Sequence, residues 1–181
     1  MRLCQSQILY YRQYGHRNLQ PQVFRQDLYK MKVYQSEATD PVTPGLILCS
    51  HGPFAIGLLR SLEMLAGHAS NVSAFSLEPG DDVNVYRQAI VSQLEAYPEG
   101  SIVFVDLFGG TPCNQILRYV QESGQWIEMV TGMNLPILLS AAIMRKTMKG
   151  SDLSVALVAD GKQSVERIDM EKLLLDDEDD D

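Results

Sequence analysis

The sequence predicts an α/β fold with a doubly wound, mostly parallel β-sheet and helices on both faces. Short apolar runs alternate with longer segments whose apolar residues recur every three or four positions. This alternation is typical of a parallel sheet with crossover helices. Residues 101–108 are apolar on both faces until Asp106, as in a central strand that helices cover. The length of 181 residues fits one domain of ordinary size.

The predicted elements alternate along the chain. The strands are residues 46–49, 71–77, 101–108, 126–131 and 163–168. Helical spacing is shown by Leu58, Leu59, Leu62 and Leu65, by Val83, Tyr86, Ile90 and Leu94, by Ile116, Leu117 and Val120, and by residues 137–144 and 152–158. We expect Asp82 or Asn84 to cap the second helix, because a side-chain oxygen there can accept from the first turn.

Three parts of the chain differ in composition. Residues 1–44 are polar and aromatic without a steady period, and we expect them to form an extension. Met31 is a candidate start of translation, since the predicted pattern begins after it. Residues 45–170 form the predicted domain, and the acidic residues 171–181 are expected to be a disordered tail.

Composition excludes several classes of function. A net charge of −8 argues against nucleic-acid binding, which needs clustered Lys and Arg. No apolar run approaches the roughly 18 residues that a membrane span needs, and residues 1–11 lack the features of a secretory signal, so we expect a cytoplasmic protein. Cys4, Cys49 and Cys113 have no CxxC spacing, which fits neither a disulfide framework nor a zinc site.

Polar and small residues follow three of the predicted strands. His51 follows the first, Asp106 and the Gly109-Gly110-Thr111 turn follow the third, and residues 132–134 follow the fourth. Thr111 is the expected N-cap of the next helix. The carboxyl ends of parallel strands share one edge of a sheet, where open α/β sheets bind ligands. We therefore expect one site there, with glycine amides and helix N-termini suited to an anion.

Three chemistries are considered for a histidine beside a carboxylate. A Ser–His–Asp hydrolase lacks a GxSxG elbow here, and Ser50 precedes His51 on the same strand end. A metal site would need a third ligand beside His51 and Asp106. The third chemistry is attack by His51 on phosphorus, with Asp106 fixing the tautomer of the imidazole. The chain has no GxxxxGK[ST] loop, so the donor would be another protein or a small phosphorylated molecule.

Three motifs carry a family resemblance. Residues 47–55 (ILCSHGPFA), 105–114 (VDLFGGTPCN) and 131–136 (TGMNLP) resemble the mannose-type enzyme IIA of the bacterial sugar phosphotransferase system, whose members serve mannose, fructose or sorbose. The resemblance covers about residues 45–168. It implies a phosphohistidine at His51, which is phosphorylated by the phosphocarrier HPr and discharged to a IIB partner without a cofactor.

The resemblance also implies roles for other residues. Asp106 would support the imidazole, while Thr111 and the amides of Gly109 and Gly110 would border the phosphoryl group. Residues 163–168 would form an antiparallel strand exchanged across a homodimer. Residues 1–44 match nothing in the family pattern and no IIB domain follows, so we expect a separate IIA subunit with an extension.

Two alternatives stay open. The phosphotransfer subunit of dihydroxyacetone kinase shares the fold and the histidine. A regulatory binding module of the same fold would not relay phosphate at all.

Overall fold

A computed structural model of the protein describes residues 31–36 and 39–170. The described strands are β1 (Lys32–Gln35), β2 (Leu46–His51), β3 (Val72–Leu77), β4 (Ile102–Val105) and β5 (Glu128–Thr131). The described helices are α1 (Phe54–Ala66), α2 (Val83–Ala96), α3 (Thr111–Ser123), α4 (Leu135–Met144) and α5 (Gly150–Gln163).

The strands form one mixed sheet in the order β1-β3-β2-β4-β5. β2 is parallel to β3 on one side and to β4 on the other, and β5 is parallel to β4. β1 is antiparallel to β3. The prediction of an α/β fold with a mostly parallel sheet is therefore confirmed.

The core lies in two apolar layers that share the strands. Leu46 and Leu48 of β2 pack in a cluster with buried residues of α1, α4 and α5. Ile47 and Cys49 of the same strand belong to a second cluster with buried residues of α2 and α3. Because successive side chains of a strand point to opposite faces, each face of β2 is apolar and covered by helices.

Arg145 fixes the start of the central strands. It follows α4, is buried, and donates hydrogen bonds to the carbonyl oxygens of Pro44 at 3.0 Å and Ser70 at 2.8 Å. Pro44 lies two residues before β2, and Ser70 lies two residues before β3. Charge-assisted hydrogen bonds are stronger than neutral ones, so Arg145 holds the amino ends of both strands in place.

Strand β1 was not predicted, because its four residues lie in the polar segment expected to be an extension. It pairs with β3 from Lys32 opposite Ser76 to Gln35 opposite Ser73. The Tyr34 hydroxyl donates to a Glu63 carboxylate oxygen of α1 at 2.7 Å. This pairing places part of the predicted extension in the sheet, and residues 1–30 lie outside the described part of the chain.

The strand predicted at residues 163–168 does not form in the single chain. Gln163 is the last residue of α5, and residues 165–169 have no regular secondary structure. The helix is longer than predicted at both ends, and Gly161 near its end lies close to Ile137, where an added Cβ would lie 2.8 Å from Cδ1. A segment without a neighbouring strand cannot form a ladder, so exchange between two copies stays a prediction. The predicted tail, residues 171–181, lies outside the described residues.

None of the described helices is both long enough and apolar enough to cross a lipid bilayer.

Candidate functional site

The site lies where the strand order reverses. From β2 the chain crosses to β3 on one side, and from β4 it crosses to β5 on the other side. The carboxyl ends of the neighbouring strands β2 and β4 therefore border a crevice of the kind in which open α/β sheets bind ligands. His51 is the last residue of β2, and Asp106 directly follows β4.

The centre of the site is the contact between His51 and Asp106. Nδ1 of the imidazole lies 2.9 Å from Oδ2 of the carboxylate, and the backbone N–H of His51 donates to the same oxygen at 2.8 Å. A carboxylate only accepts hydrogen bonds, so Nδ1 carries the hydrogen and Nε2 keeps a lone pair. The side chain of His51 is 47% exposed and that of Asp106 is 15% exposed. Nε2 is thus the ring nitrogen left available for chemistry.

The Asp106 carboxylate is directed at His51. Its second oxygen, Oδ1, is buried and has no hydrogen-bond partner among the described residues. The backbone N–H of Asp106 donates to the carbonyl of Cys49 at 3.2 Å, which ties the residue to the end of β2. Among the described residues, the Asp106 carboxylate therefore accepts side-chain and backbone hydrogen bonds from His51 alone.

The turn after β4 brings glycine against the imidazole. A Cβ added to Gly110 would lie 2.7 Å from Cε1 and 3.4 Å from Nε2 of His51. Gly109 has a φ of 76°, which L side chains rarely adopt. Glycine is thus needed at the two positions for different reasons. Gly109 allows the backbone to turn, and Gly110 allows the backbone to approach the imidazole closely.

Two helices begin at the site. α1 starts at Phe54, just after His51, Gly52 and Pro53. α3 starts at Thr111, and its N-cap is Gly110 rather than the predicted Thr111, because Gly110 is extended while Thr111 is already helical. The N–H groups of the first helical turn lack partners within the helix. The backbone N–H of Thr111, the first residue of α3, is therefore suited to binding an anion at the site.

Ser50 anchors the turn that holds His51. Its buried hydroxyl accepts from the N–H of Ala55 at 2.8 Å and donates to the carbonyl of Gly52 at 3.1 Å. Sequence reasoning considered Ser50 only as a nucleophile and missed this role. The signal was a serine at a strand end a few residues before a helix, where its oxygen can bind a first-turn N–H.

Cys49 does not provide a reactive thiolate. Burial raises the pKa of its thiol far above the usual range, although a hydrogen bond from Tyr86 opposes the shift. Burial likewise raises the pKa of the Tyr86 hydroxyl. Both side chains stay neutral in the core beneath the site.

The third predicted loop, residues 132–134, contacts the end of β4 next to the site. The N–H of Gly132 donates to the carbonyl of Val105 at 3.0 Å, so the end of β5 lies beside the end of β4. The Asn134 side chain accepts from the N–H of Ile137 at 2.9 Å and caps α4. No described contact joins Asn134 to the imidazole, and its role here is structural.

Within residues 31–36 and 39–170, no three His, Cys, Asp or Glu side chains are grouped to hold a metal ion.

Three exposed apolar residues lie close in the chain to His51 and Asp106. Phe54 opens α1, and Leu107 and Phe108 lie between Asp106 and the glycine turn, with 73% of Phe108 exposed. Sequence reasoning assigned no role to these three residues. Exposed apolar side chains next to a functional group are typical of a surface that contacts another protein.

The chain is similar to known phosphotransferase components. The family profile described as PTS system fructose IIA component matches residues 45–158. The PTS system fructose-specific EIIA component of Bacillus subtilis is 34% identical over 121 residues, which is 66% of this chain and 82% of that protein.

Two further relatives show the same similarity. The PTS system mannose-specific EIIAB component of Escherichia coli is 28% identical over 70% of this chain, and the match spans only 40% of that longer protein. The solved mannose/sorbose specific IIA subunit from Enterococcus faecalis has a TM-score of 0.60 and 31% identity, and the superposition covers 71% of this chain and 96% of that chain.

Replacing Gly110 by Ala should displace the imidazole. The φ of Gly110 is −69°, which suits any residue, so the effect would come from the added Cβ at 2.7 Å from Cε1. We expect altered NMR resonances of the His51 ring and a weaker Nδ1–H hydrogen bond. Gly57→Ala is the matched control, because nothing lies within 4 Å of its Cβ and it should stabilise α1 by about 0.5–1 kcal/mol. Unchanged ring resonances in Gly110→Ala would contradict the close approach.

Proposed function

Because the chain belongs to the family of PTS fructose IIA components, we propose that it carries a phosphoryl group on His51, taken from phospho-HPr and passed to a IIB component during sugar uptake. The family establishes a phosphoryl carrier of a sugar phosphotransferase system. The observation that carries the assignment to His51 is its Nδ1 contact with Asp106, which leaves Nε2 free. These relatives favour this function over a dihydroxyacetone kinase subunit.

The transfer begins at the free ring nitrogen. Nε2 attacks the phosphorus of the donor phosphohistidine, so that a new N–P bond forms while the donor's N–P bond breaks. The imidazole gains positive charge in this step, and the Asp106 carboxylate, which accepts from Nδ1–H at 2.9 Å, stabilises that charge. Discharge to the IIB component is the same exchange in the opposite direction.

The equatorial phosphoryl oxygens need hydrogen-bond donors rather than covalent help. Thr111 offers its hydroxyl and its first-turn N–H, at the positive end of α3. The N–H of Gly110 donates to the carbonyl of Leu107 at a long 3.3 Å, so this weakly bound N–H can also donate to an incoming oxygen without rotation of the peptide. Gly109, Gly110 and Thr111 therefore form the phosphate-binding turn of this proposal.

Both partners of the carrier are proteins. Phe54, Leu107 and Phe108 are exposed and lie close in the chain to His51 or Asp106, which supports docking of a protein donor and acceptor at this end of the sheet. The E. coli relative is named an EIIAB component, and this chain matches 40% of it, which supports a IIB partner for the EIIA-like chain.

Removing the imidazole tests the assignment. In a mixture with phosphoenolpyruvate, enzyme I and HPr, intact mass should show an HPr-dependent gain of one phosphoryl group on the unaltered protein and none on His51→Ala. His68→Ala is the matched control, since His68 is also exposed and pairs with a carboxylate, Glu63, and it should be labelled normally. Stoichiometric labelling of His51→Ala would refute the site. A folded wild-type chain that takes no phosphoryl group would favour the regulatory module.

Neutralising the carboxylate tests the role of Asp106. Asp106→Asn keeps the shape but cannot balance the charge of the ring, so we expect phosphoryl acceptance to slow by about 10- to 100-fold, the equivalent of a charge-assisted hydrogen bond. Rapid-quench measurement of the first turnover gives the rate. Asp152→Asn, at the exposed start of α5, should leave it unchanged. A first-turnover rate of Asp106→Asn equal to that of the wild type would refute the role of Asp106 in stabilising the charge of the imidazole.

The carrier acts as a homodimer in which the segment after α5 extends the sheet of the partner. The apolar side chains of Val165 and Ile168 are 80% and 68% exposed in the single chain, which supports their burial between copies. Sedimentation should find a dimer, and Val165→Asp with Ile168→Asp should yield a monomer. Val42→Asp, at an equally exposed apolar residue, should stay dimeric. A monomeric wild-type protein at micromolar concentration would contradict the exchange.

A further inference from the structure

We propose that Asn114 is a positioning residue, whose side-chain amide holds the Gly109–Gly110 turn in the orientation that places Gly110 against the His51 imidazole. The proposal rests on the proposed function, because the imidazole is taken there as the group that accepts the phosphoryl group. Asn114 itself contacts the turn and not the ring.

Asn114 binds both carbonyl groups of the turn. Its side-chain Nδ2 donates to the carbonyl oxygen of Gly109 at 2.7 Å. Its backbone N–H donates to the carbonyl oxygen of Gly110 at 2.9 Å. The second bond belongs to the ordinary ladder of α3, and any residue at this position would make it. The first bond depends on the identity of the side chain.

The turn has little else to hold its shape. Gly109 adopts a φ of 76°, and nothing lies within 4 Å of the Cβ position there. Glycine has the widest choice of backbone conformation, so residue 109 does not by itself select this one. On the peptide between Gly109 and Gly110, the N–H makes only a 3.3 Å hydrogen bond with Leu107. The 2.7 Å bond from Asn114 is therefore the stronger restraint on that peptide.

A rotation of the peptide between Gly109 and Gly110 would change the surroundings of Nε2 of His51. The Cβ position of Gly110 is 3.4 Å from Nε2, so the backbone of Gly110 already lines the ring on the side of that atom. Turning the peptide would move Gly110 and the first residue of α3, Thr111, relative to Nε2. Since phosphoryl transfer depends mainly on positioning, Asn114 should act on the rate of transfer more than on the docking of the donor.

The test compares three variants in the full chain. Asn114→Ala removes the donor, and Asn114→Asp keeps the shape but places a carboxylate, which cannot donate when ionised, against the Gly109 carbonyl. Arg118→Ala is the matched control, because Arg118 is exposed on the same helix and pairs with Glu122. Single-turnover transfer from phospho-HPr is measured over a range of phospho-HPr concentrations. The amide resonances of Gly109 and Gly110 and the ring resonances of His51 are recorded by NMR without phosphorylation.

We expect the saturating rate of Asn114→Ala to fall by about three- to tenfold, the range equivalent to one ordinary hydrogen bond. The HPr concentration at half-saturation should change less than this rate. The saturating rate of Asn114→Asp should fall further, because the charge of the new carboxylate also repels the phosphoryl oxygens. The glycine amide and His51 ring resonances should shift in both variants, and Arg118→Ala should match the wild type.

Three results would overturn the proposal. The first is an unchanged saturating rate in the folded variants, which is the outcome of a residue that only stabilises α3. The second is a change in half-saturation alone. The third is a set of unaltered Gly109, Gly110 and His51 resonances. If Asn114→Ala does not fold, the same criteria apply to the isosteric Asn114→Asp. Failure of the proposed function would differ, since the wild-type chain would then accept no phosphoryl group while the NMR comparison still stands.

Discussion

The hydrogen bond between the His51 imidazole and the Asp106 carboxylate is the constraint on which the site depends. One carboxylate oxygen binds both the backbone N–H and Nδ1 of His51, which fixes the direction of the ring as well as its tautomer. An imidazole free to rotate would offer either nitrogen to a partner. With Nδ1 occupied, Nε2 is the ring nitrogen to which the proposal assigns the phosphoryl group.

Strand pairing brings this pair together. Cys49 of β2 lies opposite Val105 of β4, so His51 and Asp106, which follow these positions, come together at the carboxyl ends of the two strands. The two apolar faces of β2 and β4 are buried under helices, and a slip of register would turn every side chain to the wrong layer. The core thus determines that His51 and Asp106 meet.

Much of this arrangement could be predicted from the sequence. Apolar runs and helical spacing predicted the strands from β2 onward, and polar residues after them predicted His51, Asp106 and the glycine turn at one edge. Strand β1 escaped prediction because four mixed residues give too short a pattern. The anchoring role of Ser50 was missed because the residue was considered only as a nucleophile. The hydrogen bond from Asn114 to the carbonyl of Gly109 was missed because residue type and spacing do not specify it. The segment after α5 has no strand partner in one chain, so its pattern did not decide its structure.

The most direct test of this account is the identity of the phosphorylated nitrogen. The protein, labelled with 15N in histidine, would be phosphorylated through HPr and studied by long-range proton–nitrogen NMR correlation at alkaline pH. The account predicts a phosphoryl group on Nε2 of His51, with Nδ1 still carrying the hydrogen that Asp106 accepts. A phosphoryl group on Nδ1, or on any other residue, would contradict it.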